Sequence, residues 1–387
     1  MLQAVSERLV ARGHLVSVFA VNGATQGEVI SVSGGSLAPR ETINGVLVRR
    51  FPPEDRATRL MRGLTDLPGG WRSARSVLGD GVGAVRRRPG PLPFLPQLLR
   101  AEVDVVTTVN WVWAPAYAGH LARRFRRFRL IGVPILHIAR PWADSTTFRP
   151  MLAQCDLVLA STTADADFMR ERGARHTVVT GMGVDPAAYT SPDGSALRAR
   201  FPLGDGPVVG FVGRQDRHKG AVTLLEAMAV VWERFPEARL LLAGQSAHRS
   251  DEMRQALETL PDQARVRVHL LDDFADAEAP GIVAACDVVT VPSVEEGFGL
   301  VYLEAWMAGK PVIGARIPST RCVIAEGVDG LLAEPLDAAD LARCLLDLLR
   351  DPARRERMGA AGREKTLANF TWDAVTDRWE AALQGSV

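Results

Sequence analysis

The sequence predicts two Rossmann-like α/β domains facing each other across a cleft, and three observations carry that prediction. The chain has 387 residues, too many for one ordinary hydrophobic core and suited to two domains of about 150 to 200 residues each. From Val208 onward, short β-branched runs alternate with longer amphipathic segments, the rhythm of a doubly wound sheet whose buried parallel strands read as continuous apolar runs. The amino-terminal half repeats that rhythm less cleanly. The stretch GMGVDPAAYTSPDGS between the halves has no apolar period and places a linker near residues 182–196.

In chain order, an amphipathic helix, LQAVSERLVARGH, opens the first half. Strands follow at HLVSVFAV, GVLVRRF, VDVVTTV, RLIGVPIL, DLVLAST and HTVVTG, separated by helices or loops. Residues 59–96, dense in Gly, Pro and Arg, break the order and read as long loops with room for one helix. The second half runs VVGFVG, a helix near residues 221–235, RLLLAG, a helix, VRVHLL, a helix, DVVTVP, a helix and PVIGA. Its rhythm ends near Asp351. Parallel sheets bind ligands beyond the carboxyl ends of their strands, so two such domains enclose a crevice suited to a large, two-part substrate.

Composition narrows the function. Forty-six Lys and Arg against forty-five Asp and Glu leave a formal charge of +1, so no global field points to nucleic acid. Cys155, Cys286, Cys322 and Cys344 are far apart and form no C-x-x-C pair, which argues against a zinc site or a disulfide framework and fits a reducing cytosol. No run of about eighteen apolar residues is present to span a bilayer, and the amino terminus has no basic stretch leading into an apolar signal segment. The expectation is a cytoplasmic protein, at most peripheral at the inner membrane face.

The strongest chemical signal is PSVEEGFGLVYLEAWMAGKPVI, residues 292–313, between two strands of the second half. Gly297 and Gly299 let the backbone bend close to a ligand. The helix from Leu300 then presents N–H groups and about half a positive charge to an anion, for which a diphosphate is a natural guest. Glu296 precedes the glycines, and Glu304 follows one turn into the helix on the side of Leu300. One carboxylate can therefore reach a sugar hydroxyl while the other reaches a ribose. A Gly-rich strand-to-helix turn is also how α/β proteins turn corners, and this motif alone does not separate the two readings.

E-G-F-G-L-V-Y-L-E, with Pro292 and Ser293 before it and A-G-K-P-V at residues 308–312 after it, resembles the E-x7-E signature of the family 4 (group 1) retaining glycosyltransferases with the GT-B fold. VGFVGRQDRHKGAVTLLEAM resembles that family's phosphate-binding segment, in which an Arg after the first strand's glycine and a Lys a few residues later hold the donor diphosphate. These are Arg214 and Lys219. Two cations on one loop at a strand's carboxyl end suit a leaving pyrophosphate, which gains negative charge as the glycosidic bond breaks. Both motifs occur in the family's order and spacing. The resemblance spans roughly residues 2–383 and is strong over 208–335.

The resemblance implies that Glu296 binds the transferred sugar's hydroxyls with the amides of Gly297, Phe298 and Gly299. It implies that the amides of Leu300 and Val301 meet the phosphates and that Glu304 grips the ribose. LLDDF, including Leu271, occupies the place where the family frames the nucleobase through backbone groups. His137, ending a strand in VPILHIARPW, matches the family's histidine near the sugar's C6 end and the reacting bond. Asn110 also stands at a strand's carboxyl end. The implied organisation is an acceptor-side domain over 1–188, a donor-binding domain over 189–369 and a crossover helix over 370–387. That helix, with Trp372 and Trp379 two turns apart, packs back on the first domain.

Other stretches imitate different chemistry. Asp165 and Asp167 read as a metal-holding D-x-D, yet they follow Ser161-Thr162-Thr163 and open a helix, where acidic residues are ordinary. RRFRRFR, residues 123–129, and Arg86-Arg87-Arg88 suit lipid phosphates, but a solvated basic face is favoured. Lys219 is followed by Gly220 and Ala221 where a P-loop needs Ser or Thr. The chain also departs from the family: a G-G-x-x-E-x-I pattern is replaced by ARIPSTRCVIAEG, with Arg321 or Cys322 near the place of the acid.

The expected reaction is transfer, with retention of configuration, from a nucleoside diphosphate sugar to a hydroxyl of a small-molecule, glycan or lipid-linked acceptor. A UDP-sugar is slightly preferred over GDP-mannose. No cofactor, metal or nucleic acid is expected, and a membrane surface is not favoured. The rivals are a nucleotide-sugar epimerase of the same fold and a non-catalytic two-lobed sugar-binding protein. One local expectation concerns the first strand, which the family pattern places ahead of the opening helix and at the centre of the sheet. Its absence implies either a natural start about fifteen to twenty residues upstream or a sheet closed around a different strand.

Overall fold

Apolar residues at i and i+4 on the opening helix, Leu2–Ala11, bury Val5 and Leu9. After it come β1 (Ser17–Val21), β2 (Arg40–Ile43) and β3 (Val46–Phe51). β1 runs parallel to β3, and β2 folds back antiparallel onto β3 across Asn44 and Gly45. These two residues have φ of 47° and 82°, the positive angles of a two-residue hairpin turn that Asn-Gly tolerates best. A second sheet holds β4 (Val105–Val109), β5 (Arg129–Val133), β6 (Leu157–Ala160) and β7 (Thr177–Val179), parallel and in sequence order. The structure is a computed structural model and describes residues 1–22, 37–52, 94–111, 116–135 and 148–385.

Contacts divide the chain into two units, Met1–Thr180 with Thr376–Val387, and Gly181–Val375. In the first unit, no described strand pairs with the remaining side of β1 or of β4, so the parallel strands stand as two sheets. Among the described residues, no strand takes the central place that the family pattern expects, and none bridges the two sheets. The final helix, Trp372–Gln384, begins in the second unit and groups with the first from Thr376 onward. It buries Val375, Trp379 and Ala382 on one face. Arg12 donates to Asp377 at 2.6 Å and to Glu380 at 2.7 Å, which ties this helix to the loop after Leu2–Ala11.

The second unit carries one unbroken sheet of β8 (Val208–Val212), β9 (Arg239–Gly244), β10 (Val268–Asp272), β11 (Val288–Val291), β12 (Val312–Ala315) and β13 (Gly330–Ala333). All six are parallel, in the order β10-β9-β8-β11-β12-β13. This is the 3-2-1-4-5-6 order of a doubly wound nucleotide-binding sheet. The order reverses between neighbours β8 and β11, the switch point beyond whose carboxyl ends doubly wound sheets bind their ligands. Among the described residues of the chain, no helix is long and apolar enough to cross a membrane.

Three local features differ from expectation. β2 and β13 are not among the expected strands: β2 is polar and β13 has only four residues, so neither has a long apolar run. Residues 182–196 are no plain linker, because Val184 pairs with Thr371 and Tyr189 is buried in the short turn Pro186–Tyr189. The boundaries between units fall at Thr180/Gly181 and Val375/Thr376, where 188/189 and 369/370 were expected, and the helix Pro352–Asn369 continues the second unit past Asp351. Backbone bonds between distant segments, from Val184 to Phe370 and from Trp372 to Val184, hold residues 182–196 to the second unit. Most of residues 59–96, with Arg86, Arg87 and Arg88, lies outside the described residues.

Candidate functional site

β8 ends at Val212, and the chain leaves it through Gly213 and Arg214. The following turn is held by Asp216, whose Oδ1 accepts from the amide of Lys219 at 2.8 Å. Gly220 then caps the helix Ala221–Arg234 at φ 80°. A Cβ there would stand 2.4 Å from the carbonyl oxygen of Pro292, so this loop approaches the one after β11 more closely than any other residue allows. The amide of Val294 donates to the carbonyl of His218 at 2.9 Å, and the fully buried Ser293 places its Oγ 3.1 Å from the same carbonyl. The two loops are therefore one construction on adjacent strands.

Their side chains meet as well. Lys219 Nζ donates to Glu296 Oε2 at 2.7 Å, with both side chains largely buried, and Glu296 Oε1 accepts from the amide of Gly297 at 3.1 Å. Beside this pair, His218 Nδ1 lies 3.6 Å from Glu295 Oε1. Arg214 is half exposed, with Asp216 3.5 Å away, so its guanidinium remains available to an anion.

Gly299 adopts φ 91° and starts the helix Leu300–Met307; a Cβ on it would meet the Tyr302 ring at 2.3 Å. Phe298 turns inward against Phe370, their ring centroids 5.5 Å apart, and leaves only its backbone to the site. As at any helix start, the amides of Leu300 and Val301 have no partner within the helix. The helix is anchored behind them by buried Tyr302, whose hydroxyl donates to Val291 at 2.8 Å. Trp306 Nε1 donates to Asp329 at 2.8 Å. Glu304 follows on the same helix, its carboxyl pushed up first by burial and then by nearby Asp276. The phenol of Tyr189 is likewise raised by burial and by Glu304.

Toward the other edge, Leu271 is buried near the end of β10, two strands from β8. The next residues are pinned by side chains that the sequence reading did not single out. Arg249 donates to Asp272 Oδ1 at 2.5 Å and to Oε1 of fully buried Gln215 at 2.6 Å. Asp273, at φ 56°, accepts from the amide and hydroxyl of Ser246 at 3.1 and 2.7 Å. Nothing in the sequence marked Gln215 for this network, because its burial and its bond to Arg249 arise only on packing.

The second unit thus brings together Arg214, Lys219, Glu296, Gly297, Phe298, Gly299, Leu300, Val301 and Glu304 where β8 and β11 end. His137 lies outside the described residues. Asn110 follows β4 at φ 54°. Asp165 forms a reciprocal cap with Thr162 and is pushed up to about 6, chiefly by burial, while Asp167 pairs with Arg170. Among the described residues, no cluster of three His, Cys, Asp or Glu is arranged to hold a metal. In the run 123–129, Arg123 pairs with Asp156, Arg126 donates to the carbonyls of Leu99 and Ala101, and Arg129 donates to Leu383. Only Arg124, Phe125 and Arg127 of that run are exposed.

A doubly wound sheet whose switch point carries a cation-bearing loop against a Glu-Gly-x-Gly helix start defines a glycosyltransferase of the GT-B class. Comparison with known proteins agrees. Residues 195–365 match the family described as glycosyl transferases group 1. A D-inositol 3-phosphate glycosyltransferase from Stackebrandtia nassauensis is 30% identical over 311 residues, covering 73% of this chain and 70% of that protein. This chain belongs to the group 1 glycosyltransferase family. In fold it is similar to sucrose-phosphate synthase from Thermosynechococcus elongatus, with TM-score 0.76, 23% identity and 99% and 92% of the two chains covered. It is also similar to Anabaena Alr3699/HepE in complex with UDP and glucose, with TM-score 0.68, 21% identity and 96% and 100% covered.

Proposed function

We propose that this glycosyltransferase uses a nucleoside diphosphate sugar, a UDP-sugar ahead of GDP-mannose, and transfers the sugar to a hydroxyl acceptor with retention of configuration. The observation that carries the reading is the direct pairing of Lys219 with Glu296, which joins a phosphate-loop cation to a sugar-side carboxylate at the switch point of the sheet. In this reading the diphosphate lies over the amides of Leu300 and Val301, with Arg214 and Lys219 on its oxygens. Glu296 and the amides of Gly297, Phe298 and Gly299 take the sugar hydroxyls, Glu304 takes the ribose, and the backbone near Leu271 frames the base. UDP in the Anabaena structure supports the choice of base, and a phosphorylated cyclic polyol, from the Stackebrandtia protein's name, is the first acceptor to try.

The bond between the anomeric carbon and the diphosphate oxygen breaks, and its electron pair leaves with the phosphate. The acceptor oxygen forms the new bond on the same face, and its proton passes to the departing phosphate oxygen. No protein nucleophile is required. Arg214, Lys219 and the helix start act on the charge that develops on the leaving group, which is where binding lowers the barrier. Those groups match the diphosphate without a metal ion or cofactor. His137 is assigned to the sugar's C6 end. The wide spacing of the four cysteines, with no C-x-x-C pair among them, fits a reducing, cytoplasmic setting.

The test is UDP release from UDP-glucose with and without candidate acceptors, combined with the anomeric proton coupling of the product. Acceptor-dependent release with an unchanged anomeric configuration supports the proposal. Acceptor-independent appearance of a different sugar nucleotide would establish the epimerase reading instead, and tight UDP binding with no turnover on any acceptor would establish a binding protein.

A further inference from the structure

We infer that Ser319 is a positioning residue for the sugar-binding peptide Glu296–Gly297; the inference rests on the proposed role of Glu296. Ser319 is buried on the short helix Pro318–Val323, which follows β12, and its Oγ donates to the carbonyl oxygen of Glu296 at 2.5 Å. β12 pairs with β11, so this turn stands beside the motif that β11 launches.

The neighbouring hydroxyl has a different task. Thr320 Oγ1 accepts from the amide of Ile317 at 3.3 Å and donates to the carbonyl of Ala315, which closes its own turn and leaves Ser319 to reach across. With no ligand, the amide of Gly297 is held by Glu296 Oε1. Once the Glu296 carboxylate turns to a sugar hydroxyl, that internal bond is given up. The Ser319 bond is then the remaining side-chain hold on this peptide among the described residues. Gly297 has no Cβ to resist rotation, so without Ser319 the peptide can swing its amide away from the sugar. The diphosphate side keeps its own ties through Asp216, Ser293 and Lys219. The loss therefore falls on transfer and not on nucleotide binding.

The experiment uses the full chain and whichever of UDP-glucose and GDP-mannose the wild type turns over faster. Steady-state kcat and KM are measured for Ser319→Ala, Ser319→Thr and Glu296→Ala, with calorimetric affinity for the matching free UDP or GDP. Losing one neutral hydrogen bond in the transition state predicts that Ser319→Ala lowers kcat about five- to tenfold, with free-nucleotide affinity kept within about twofold. Ser319→Thr, which retains the donor, recovers most of the loss. Wild-type kcat in Ser319→Ala overturns the inference, and so does an equal loss of nucleotide affinity, which signals collapse of the whole loop. If Glu296→Ala is inactive while Ser319→Ala is unaffected, only the positioning role fails; if Glu296→Ala keeps full turnover, the reading of the site fails with it.

Discussion

The two units are built from the same kind of element and differ in continuity. In Gly181–Val375 six parallel strands form one sheet, and the loops after its adjacent strands β8 and β11 are locked together by Gly220, Ser293 and the Lys219–Glu296 pair. In the other unit the described strands form a three-stranded and a four-stranded sheet, with β1 and β4 unpaired on one side. The difference teaches that a shared rhythm of strand and helix does not by itself produce one continuous sheet. Precise chemistry is placed where neighbouring strands hold both walls of a site at fixed spacing.

The largest effect that would break this comparison is in the unit with the continuous sheet. Glu296→Ala and Lys219→Ala should each lower kcat at least about a hundredfold, since a lost contact to transition-state charge is worth about 2.7 to 4 kcal/mol. Because the two side chains pair, the double variant should cost little more than either single one. Additive losses in steady-state assays would show that the pair is not one device.

Acid stability sharpens the contrast from the other unit. His120 is buried against Trp111, ring centroids 5.0 Å apart, and burial pushes its pKa down to about 4. The neutral ring is therefore favoured in the folded state, and its contribution is intact above about pH 6.5. It is lost as pH falls from there toward 4, by up to about 3 kcal/mol. Asp165, raised to about 6 by burial, works in the opposite direction and gains stability as it is protonated. His120→Phe should flatten the decline of denaturation free energy between pH 6.5 and 4; an unchanged slope would remove His120 as its source.

Hydrogen exchange compares the units directly. Amides of β1 and β3 should exchange at least about ten times faster than those of β8 and β11, because local opening of a small, one-sided sheet costs less. Equal protection would mean that continuity of the sheet does not set local stability. The smallest effect is expected from chelation. Excess EDTA should change turnover by less than about twofold, since Arg214, Lys219 and the helix start supply the diphosphate's counter-charge. Loss of activity restored by magnesium or manganese would overturn that assignment.

What the amino-acid sequence determined by itself is local. Gly299 at a positive φ and the helix it starts follow from nine consecutive residues, and alternating apolar runs announce most of the parallel strands. The Asn44–Gly45 hairpin is equally local, although polar β2 does not declare itself by apolar pattern. Thr162 and Asp165 were legible as a helix start for the same reason: the cap is complete within four residues. Only the tertiary structure decided which distant segments meet. Lys219 and Glu296 are neighbours because β8 and β11 are adjacent, and strand order is a property of the whole sheet. Ser319 reaches Glu296, Gln215 reaches Arg249 and Tyr189 comes near Glu304 for the same reason. Hydrophobic periodicity encodes which face of an element is buried, but a hydroxyl or amide partner many residues away leaves no periodic trace, so these contacts exist only once the chain has packed.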